Sequence, residues 1–325
     1  MVHQPSTGFP GSARSANSPL EVRLVREGIA ESRHRVHAVV CDQRGRVLMR
    51  AGDPQQLSFV RSALKPLQAT VFVSSGAADR CGCGERGLAI ACASHAGTAP
   101  HAREAFRLLW GAELEVEQLQ CPAPQPGGSA LEHNCSGKHA AFLASCRQMH
   151  WPLESYLQPN HPLQQEVLKR VGELLAVPPA ELIVARDDCG APTLQLQLAQ
   201  MALLYAHLGA GALPDLERLS RAMLAHPELV AGEGRFDTEL MRVGHGQVLS
   251  KGGAEGIQCL SRVGEGLGVA IKVEDGSSRA KHAVALHLLR QLEWLTPAGL
   301  EELSQRFLEP AAHLRLSVLG ELRFD

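Results

Sequence analysis

A serine and a lysine three positions apart form the first candidate for chemistry. The stretch FVRSALKPLQA, residues 59–69, contains Ser62 and Lys65. Residues three positions apart lie on one face of a helix, where a neutral lysine could take the proton of the serine hydroxyl. Pro66 suits a helix start, and the positive end of the helix dipole favours a developing alkoxide. The spacing predicts an activated nucleophile, and the alternative is a serine N-cap with a solvated lysine.

Two later stretches carry residues of the same kinds. IACASHAGTAPH, residues 90–101, interrupts a run of small apolar residues at Ser94, and QVLSKGGAEG places Lys251 between a strand and two glycines. Ser94 and His95 are not expected to act as a pair, because adjacent residues rarely face each other. Glycines after a strand let a ligand approach the backbone closely. An early Ser-x-x-Lys, a second serine and a late Lys-x-Gly are typical of serine acyl-transferring enzymes of the penicillin-recognising kind.

Thiols beside a lysine form a third candidate group. They occur in EHNCSGKHAAF, residues 132–142, and in the Gly/Pro loop ARDDCGAPT, residues 185–193. Thiolates and imidazoles suit zinc, although the paired Cys-x-x-Cys of many structural sites is missing from these stretches. The alternative is a set of buried free thiols. The residues concerned are Cys135, Lys138 and Cys189, with His133, His139, Asp187 and Asp188 beside them.

The order of predicted elements indicates an α/β fold. Residues 34–52, HRVHAVVCDQRGRVLMRAG, predict two strands around a turn at 42–45, and short apolar stretches closed by glycine predict strands again near the C-terminus. The stretches between them carry apolar residues at helical spacing, among them TLQLQLAQMALLYAHLGAG. We therefore expect one antiparallel sheet, built from about 21–60 and 246–325 and flanked by helices. A helical lobe from about 61–245 would leave a cleft between lobe and sheet.

Composition limits the classes of function. The chain has 325 residues and a formal net charge of −2, with 45% hydrophobic and 20% charged residues. This is typical of a globular protein with a real core. It lacks the basic character of a nucleic-acid binder, and no run approaches the roughly 20 apolar residues of a membrane span.

The N-terminus and the cysteines bear on localisation. Residues 1–20 are rich in Ser, Pro and Gly, without the apolar stretch of a secretory signal, so they predict a disordered tail before a single catalytic unit at 21–325. The nine cysteines are odd in number and scattered from Cys41 to Cys259. Together these features predict reduced thiols in a cytoplasmic protein.

Taken together, the motifs resemble the type II L-asparaginase family of the Rhizobium kind. The resemblance is carried by RSALKPLQA, LAIACASH, HNCSGKHAAFL, DDCGAPT, HPELVAGEGRFDTELMR, KGGAEG and GLGVAIKVEDGSSRA, in that order. It extends from about residue 20 to about residue 290. It implies hydrolysis of L-asparagine to aspartate and ammonia, by an enzyme with a fold like serine β-lactamases and glutaminases.

The resemblance also implies roles for individual residues. Ser62 with Lys65 matches one Ser–Lys tandem of the family, and Ser94 with Lys251 matches the second. A zinc ion is expected near the substrate pocket, and a lysine ligand of that ion must be neutral. The family is expected to form dimers. The implied zinc ligands are Cys135, Lys138 and Cys189, and the implied substrate or supporting contacts are Asp187 and His139.

Three departures from the family pattern bear on substrate preference. Ala96 stands where the family has the second serine of Ser-His-Ser-Gly, and Asp188 stands where it has the glycine of Asp-Gly-Cys-Gly. Loss of that glycine adds a carboxylate and is expected to strain a backbone that needs positive φ. The C-terminal HLRLSVLGELRFD also differs from the family ending.

The mechanism that we expect begins with attack of Ser62 on the side-chain amide carbon of asparagine, with Lys65 as the base. Ser94 and Lys251 would relay a proton to the leaving ammonia, and backbone amides near Ser62 would stabilise the oxyanion. The charge of Lys251 would favour the neutral form of Lys65 if the two lie close together.

Two alternatives remain open at this level. A glutaminase or another serine acyl-transfer hydrolase of the same fold would share these residues, and one methylene is worth only about 1–3 kcal/mol of discrimination. A zinc-dependent protein that binds an amino acid without turnover would leave the Ser–Lys residues unexplained.

Overall fold

The computed structural model describes residues 18–325. The proposed tail at 1–20 lies outside these residues except for its last three positions, and the first strand begins at Leu20. The strands are β1 Leu20–Arg26, β2 Ile29–Asp42, β3 Val47–Ala51, β4 Leu57–Phe59, β5 Ile183–Arg186, β6 Pro192–Gln197, β7 Val248–Gly252, β8 Ile257–Arg262, β9 Leu267–Val273, β10 Leu314–Leu319 and β11 Arg323–Phe324.

Helices fill the middle of the chain and return after β9. The α-helices are α1 Lys65–Gln68, α2 Thr70–Ser74, α3 Ala77–Arg80, α4 Gly84–Ala91, α5 Ala99–Gly111, α6 Ser136–Met149, α7 Pro162–Leu175, α8 Leu198–Ala210, α9 Pro214–Ala225, α10 Pro227–Val230, α11 Phe236–Val243, α12 Ser278–Gln291 and α13 Pro297–Phe307. Short 3₁₀ helices span Arg61–Leu64, Val116–Gln118, Ala130–Glu132 and Pro179–Glu181.

The main sheet joins the two ends of the chain. Its order is β10-β1-β2-β9-β8-β7, with β3 paired to β2 and β11 paired to β3. All of these pairings are antiparallel, and β2 meets β9 from Val36 opposite Val273 to Asp42 opposite Leu267. The predicted fold class is confirmed: an antiparallel sheet from the N- and C-terminal segments, with helices from the middle of the chain.

Helices cover both faces of the sheet, and the alternation along β2 shows how. Val36, Ala38 and Val40 belong to the core that contains α12, whereas Val39 and Cys41 belong to the core of the helical lobe and α8. This follows from the two-residue period of a strand. Strand β2 is buried on both faces and therefore separates two hydrophobic cores, one of which belongs to the helical lobe.

A second, three-stranded sheet in the order β4-β6-β5 was not predicted. The helix expected at TLQLQLAQM begins only at Leu198, because Pro192–Gln197 is a strand between β4 and β5. The alternation of Leu194 and Leu196 with glutamines fits a half-buried strand as well as a helix start. This sheet ties the segment before Ser62 to the loop that carries Cys189.

Two further observations concern cysteines and membranes. All nine cysteines fall within the described residues, and each is a free thiol. Across residues 18–325, no helix is long and apolar enough to cross a membrane.

Candidate active site

A cavity of about 630 Å³ lies between the helical lobe and the end of the main sheet. Its lining comes from the turn before α1, the segment after α4, the residues before α6, the loop after β5, the end of β7, and the helices α11, α12 and α13. Its lining includes six of the nine predicted site residues, namely Ser62, Ser94, Cys135, Asp187, Cys189 and Lys251. Lys65, Lys138 and His139 are buried behind that wall.

The turn that carries Ser62 is a 3₁₀ helix followed directly by α1. The preceding Arg61 has φ of +53°, a conformation that costs on the order of 1–3 kcal/mol for a non-glycine residue. The phenol of Tyr205 donates a hydrogen bond to the carbonyl of Ala63 at 2.8 Å. Lys65 is 1% exposed, and its Nζ donates a hydrogen bond to the carbonyl of Asn134 at 3.3 Å. The serine is thus held at the cavity surface above a buried lysine.

Ser94 lies directly beside Ser62. Its backbone N–H donates to the carbonyl of Val230 at 2.8 Å, and its hydroxyl donates to the Ser62 hydroxyl across 3.2 Å. The neighbouring His95 ring is turned away and bonds Ser136 at 3.0 Å. The structure therefore brings two serines 32 residues apart into contact, while His95 pairs with α6 and not with Ser94.

Lys251 reaches the cavity from β7 and is completely buried. Its ammonium donates to the carbonyl of Gly252 at 2.9 Å. Burial, with smaller contributions from the neighbouring lysines Lys65 and Lys281, lowers the pKa of Lys251 to about 7 against the opposing carboxylate of Asp237. A lysine that titrates near neutrality can both give and take a proton at physiological pH.

The two thiols and Lys138 form one buried cluster. The Lys138 ammonium donates to the Cys189 sulfur at 3.1 Å. A hydrogen bond from Cys189, stronger than the opposing burial, lowers the pKa of Cys135, and the same bond raises the pKa of Cys189. Burial opposes protonation of Lys138, but the charges of Cys135 and Cys189 raise its pKa. The two thiols therefore share one negative charge, which lies beside the buried ammonium of Lys138.

The donor set of this cluster fits zinc if the lysine is counted as a ligand. Within residues 18–325, no group of three or more His, Cys, Asp or Glu side chains is arranged to hold a metal, so Cys135 and Cys189 alone do not suffice. Typical Zn–S and Zn–N distances of about 2.3 and 2.0 Å place tetrahedral ligands roughly 3.5 Å apart. The Lys138 nitrogen and the Cys189 sulfur are 3.1 Å apart, which is close to that spacing.

His139 lies one layer beneath this cluster. It is completely buried, its Nδ1 is 2.7 Å from the hydroxyl of Tyr156, and its Nε2 is without a hydrogen-bond partner. Burial and the charge of Lys138 hold the pKa of His139 well below its usual range. The ring is therefore a neutral group that supports the cavity floor.

Arg61 was not predicted as a site residue, yet its side chain binds two carboxylates at the mouth of the cavity. Its guanidinium donates to Asp187 at 2.7 Å and to Asp188 at 2.5 Å. Asp187 is mostly buried, whereas the Asp188 side chain is 88% exposed. The prediction of backbone strain at Asp188 is wrong. Within the described chain, Asp188 is not among the residues with positive φ, and Gly190 takes that conformation instead, at +87°.

A further charged group that sequence reasoning missed is Asp237, with Lys281 near it. Asp237 occurs in HPELVAGEGRFDTELMR, a stretch quoted for the resemblance, and Lys281 directly follows the quoted GLGVAIKVEDGSSRA. A charged residue on the apolar face of a short amphipathic helix is the signal that could have identified Asp237. Ala96, the other departure, lies against Gly232, where an added Cβ would be 2.8 Å from the Ala96 Cβ.

Comparison with known protein families identifies the family to which this chain belongs. The model of the family described as L-asparaginase II matches residues 22–324. The chain belongs to the L-asparaginase II family. The resemblance inferred from the motifs is confirmed, and the protein is an enzyme of that family. Membership of the L-asparaginase II family implies hydrolysis of L-asparagine.

Solved structures similar to this L-asparaginase II are described as crystal structures of Mglu. One is 12% identical with a TM-score of 0.40, over 80% of this chain and 67% of that chain. A native form in 4.3 M NaCl is 14% identical with the same TM-score, over 80% and 61%. A form with tris and glutamate is 14% identical, over 83% and 62%, also at 0.40. The alignments thus span about two thirds of those chains. A search of curated proteins finds no match.

Proposed function

We propose that this L-asparaginase II hydrolyses the side-chain amide of L-asparagine through an acyl-enzyme on Ser62. The observation that carries the proposal is the 3.2 Å contact between the Ser62 and Ser94 hydroxyls in a cavity backed by two buried lysines. A nucleophile, a proton acceptor and a proton donor are the groups that amide cleavage requires. This cavity holds side chains of all three kinds.

In the first half-reaction, the Ser62 oxygen attacks the amide carbon while neutral Lys65 takes the hydroxyl proton. Backbone N–H groups near Ser62 stabilise the oxyanion. As the intermediate collapses, the C–N bond breaks, and Lys251 passes a proton through the Ser94 hydroxyl to the departing nitrogen. Ammonia leaves, and the aspartyl group remains as an ester of Ser62. In the second half-reaction, water attacks the ester carbon while the Lys251 amine takes one water proton through the Ser94 hydroxyl. The ester C–O bond then breaks, aspartate departs, and protonated Lys65 returns its proton to the Ser62 oxygen.

Recognition of the substrate involves the charges at the cavity mouth. The carboxylate of Asp187 accepts the α-ammonium group, and the guanidinium of Arg61 lies beside it. His139 supports this contact from below, since it is buried against Tyr156 and does not line the cavity. Charged partners at both ends of the amino acid favour a free substrate over a peptide.

Zinc is part of the proposal, held by Cys135, Cys189 and a neutral Lys138. Bound there, it would supply a positive charge that orients the α-amino and α-carboxylate groups and braces two loops. Cys135 precedes α6 and Cys189 lies in the loop after β5, so the ligands themselves join two walls of the cavity. Homodimer formation and a cytoplasmic location remain predictions of the family resemblance and the cysteine content.

Ammonia release from L-asparagine and L-glutamine, with added zinc and with a strong chelator, tests the proposal. We expect release from asparagine, a loss of turnover of about 10⁴-fold or more in Ser62→Ala, and a smaller loss in Ser94→Ala. Full activity in Ser62→Ala would assign the nucleophile to Ser94. Preferred release from glutamine would favour the glutaminase alternative, and thermal stabilisation by asparagine without ammonia release would favour the non-catalytic binder. Full activity of the metal-free protein would exclude a catalytic need for zinc.

A further inference from the structure

Asp237 is placed to control the strand end that carries Lys251. It lies in the first turn of α11, and both of its oxygens are bonded. Oδ1 accepts hydrogen bonds from the Ser250 hydroxyl at 2.7 Å and from the Gln258 amide at 2.8 Å. Oδ2 accepts a bond from the backbone N–H of Gly252 at 2.8 Å. One carboxylate therefore holds the residues on both sides of Lys251.

The absence of a side chain at Gly252 makes this arrangement possible. A Cβ at that position would lie 3.0 Å from the Lys281 nitrogen, 3.1 Å from the Gln258 Oε1 and 3.3 Å from the Asp237 Oδ2. The Lys281 ammonium also donates to the carbonyls of Gly253 at 2.8 Å and Ile257 at 3.1 Å. The turn between β7 and β8 is thus held by Asp237 from one side and by Lys281 from the other.

The charges around Lys251 give Asp237 a second effect. The carboxylate of Asp237 is held ionised by Lys251 and Lys281, which with its hydrogen bonds outweigh burial and lower its pKa. The Asp237 charge also acts on His282 and Tyr205. Around Lys251 itself, the titratable groups other than Asp237 are lysines and thiols. These groups are Lys65 on α1, Lys281 on α12, Cys92 after α4, Cys135 before α6 and Cys259 on β8.

We propose that Asp237 is the positioning residue of Lys251: it fixes the strand end that carries this lysine and supplies the carboxylate that balances its charge. The inference rests on the proposed function in so far as Lys251 serves the proton relay. Without the carboxylate, a buried ammonium near the Lys281 ammonium would lose its proton at lower pH. The relay would then lack its proton donor at the pH where the enzyme works.

The test follows the protonation of Lys251 directly. The chain contains six lysines, so protein labelled with ¹³C-lysine gives few Cε resonances, and Lys251→Arg identifies the one that belongs to Lys251. We expect this resonance to titrate near pH 7 in the native protein and about one unit lower or more in Asp237→Asn. Glu239→Gln is the matched control, because Glu239 lies on the same helix and pairs with Arg306 on α13. In Glu239→Gln the titration midpoint of the Lys251 resonance should not change.

Kinetics separate positioning from a merely structural role. With asparagine as substrate, the limb of the kcat profile that titrates with Lys251 should shift toward acid in Asp237→Asn by the same amount as the resonance. A purely structural aspartate would lower kcat at every pH and leave the limb in place. Ser250→Ala removes one bond to Asp237 and keeps its charge, so it should lower kcat several-fold without moving the midpoint.

The outcomes distinguish this inference from the proposed function. An unmoved or raised midpoint in folded Asp237→Asn overturns the inference even if asparagine is hydrolysed. If the native protein releases no ammonia, the proposed function fails, and the resonance still decides whether Asp237 controls Lys251. If Asp237→Asn does not fold, an unchanged kcat in Ser250→Ala overturns the positioning role.

Discussion

Because Lys251 is buried, it should make the free energy of unfolding depend on pH, and a single substitution at this position should remove that contribution. Lys251 is completely buried, and burial lowers its pKa from 10.5 to about 7. Between these values the unfolded chain binds a proton at Lys251 that the folded chain does not. Stability therefore rises with pH across this window. Below about pH 7 both states are protonated and the contribution is constant.

The size of this effect follows from the two pKa values. Each unit of difference corresponds to about 1.36 kcal/mol. Integrated from pH 7 to pH 9, the folded state gains on the order of 2 kcal/mol from the deprotonation of Lys251. Lys251→Met removes the titrating group and fills similar space with an unbranched side chain. We expect the pH 7 to pH 9 increment of the variant to be smaller than that of the native protein by on the order of 2 kcal/mol.

Urea unfolding at both pH values, followed by tryptophan fluorescence, measures the increment. The increment is used because the absolute stability of Lys251→Met also contains the cost of leaving Asp237 with one fewer cation. Lys169→Met is the matched control, since Lys169 is exposed on α7 and its removal should leave the increment unchanged. If Lys251→Met keeps the native increment, the burial argument for Lys251 is refuted.

Two further substitutions test other parts of the structure. Asp188→Gly should leave stability within about 1 kcal/mol, because the pair with Arg61 ends in a carboxylate that is 88% exposed. It should lower KM for asparagine several-fold at nearly constant kcat, since Arg61 is freed for the substrate; a higher KM would show that Asp188 itself binds substrate. Gly268→Ala should destabilise the protein by about 3 kcal/mol or more, because the new Cβ would lie 2.0 Å from the Ala202 carbonyl of α8. A thermal midpoint like that of the native protein would contradict this close approach.

Local patterns in the sequence were sufficient to predict the main elements and most of the candidate residues. The hairpin around 42–45 and the strands at and after Lys251 correspond to short apolar runs bounded by glycine. Such runs can be recognised from a few neighbouring residues. The Ser-x-x-Lys spacing and the thiol–lysine stretches are local in the same sense. The order of elements predicted the single sheet because strands occur at both ends of the chain and helices between them.

The tertiary structure decided the contacts between residues that are far apart in the chain. The approach of Ser94 to Ser62, the clamp of Asp237 on β7 and the double ion pair of Arg61 each join separate elements, and no short-range spacing encodes them. The strand at Pro192–Gln197 was likewise settled by its two neighbours in the small sheet, because its alternation is compatible with a helix start until strands are available to pair with it. The lowered pKa of Lys251 has the same origin, since burial and the charges around a side chain exist only once the chain has folded.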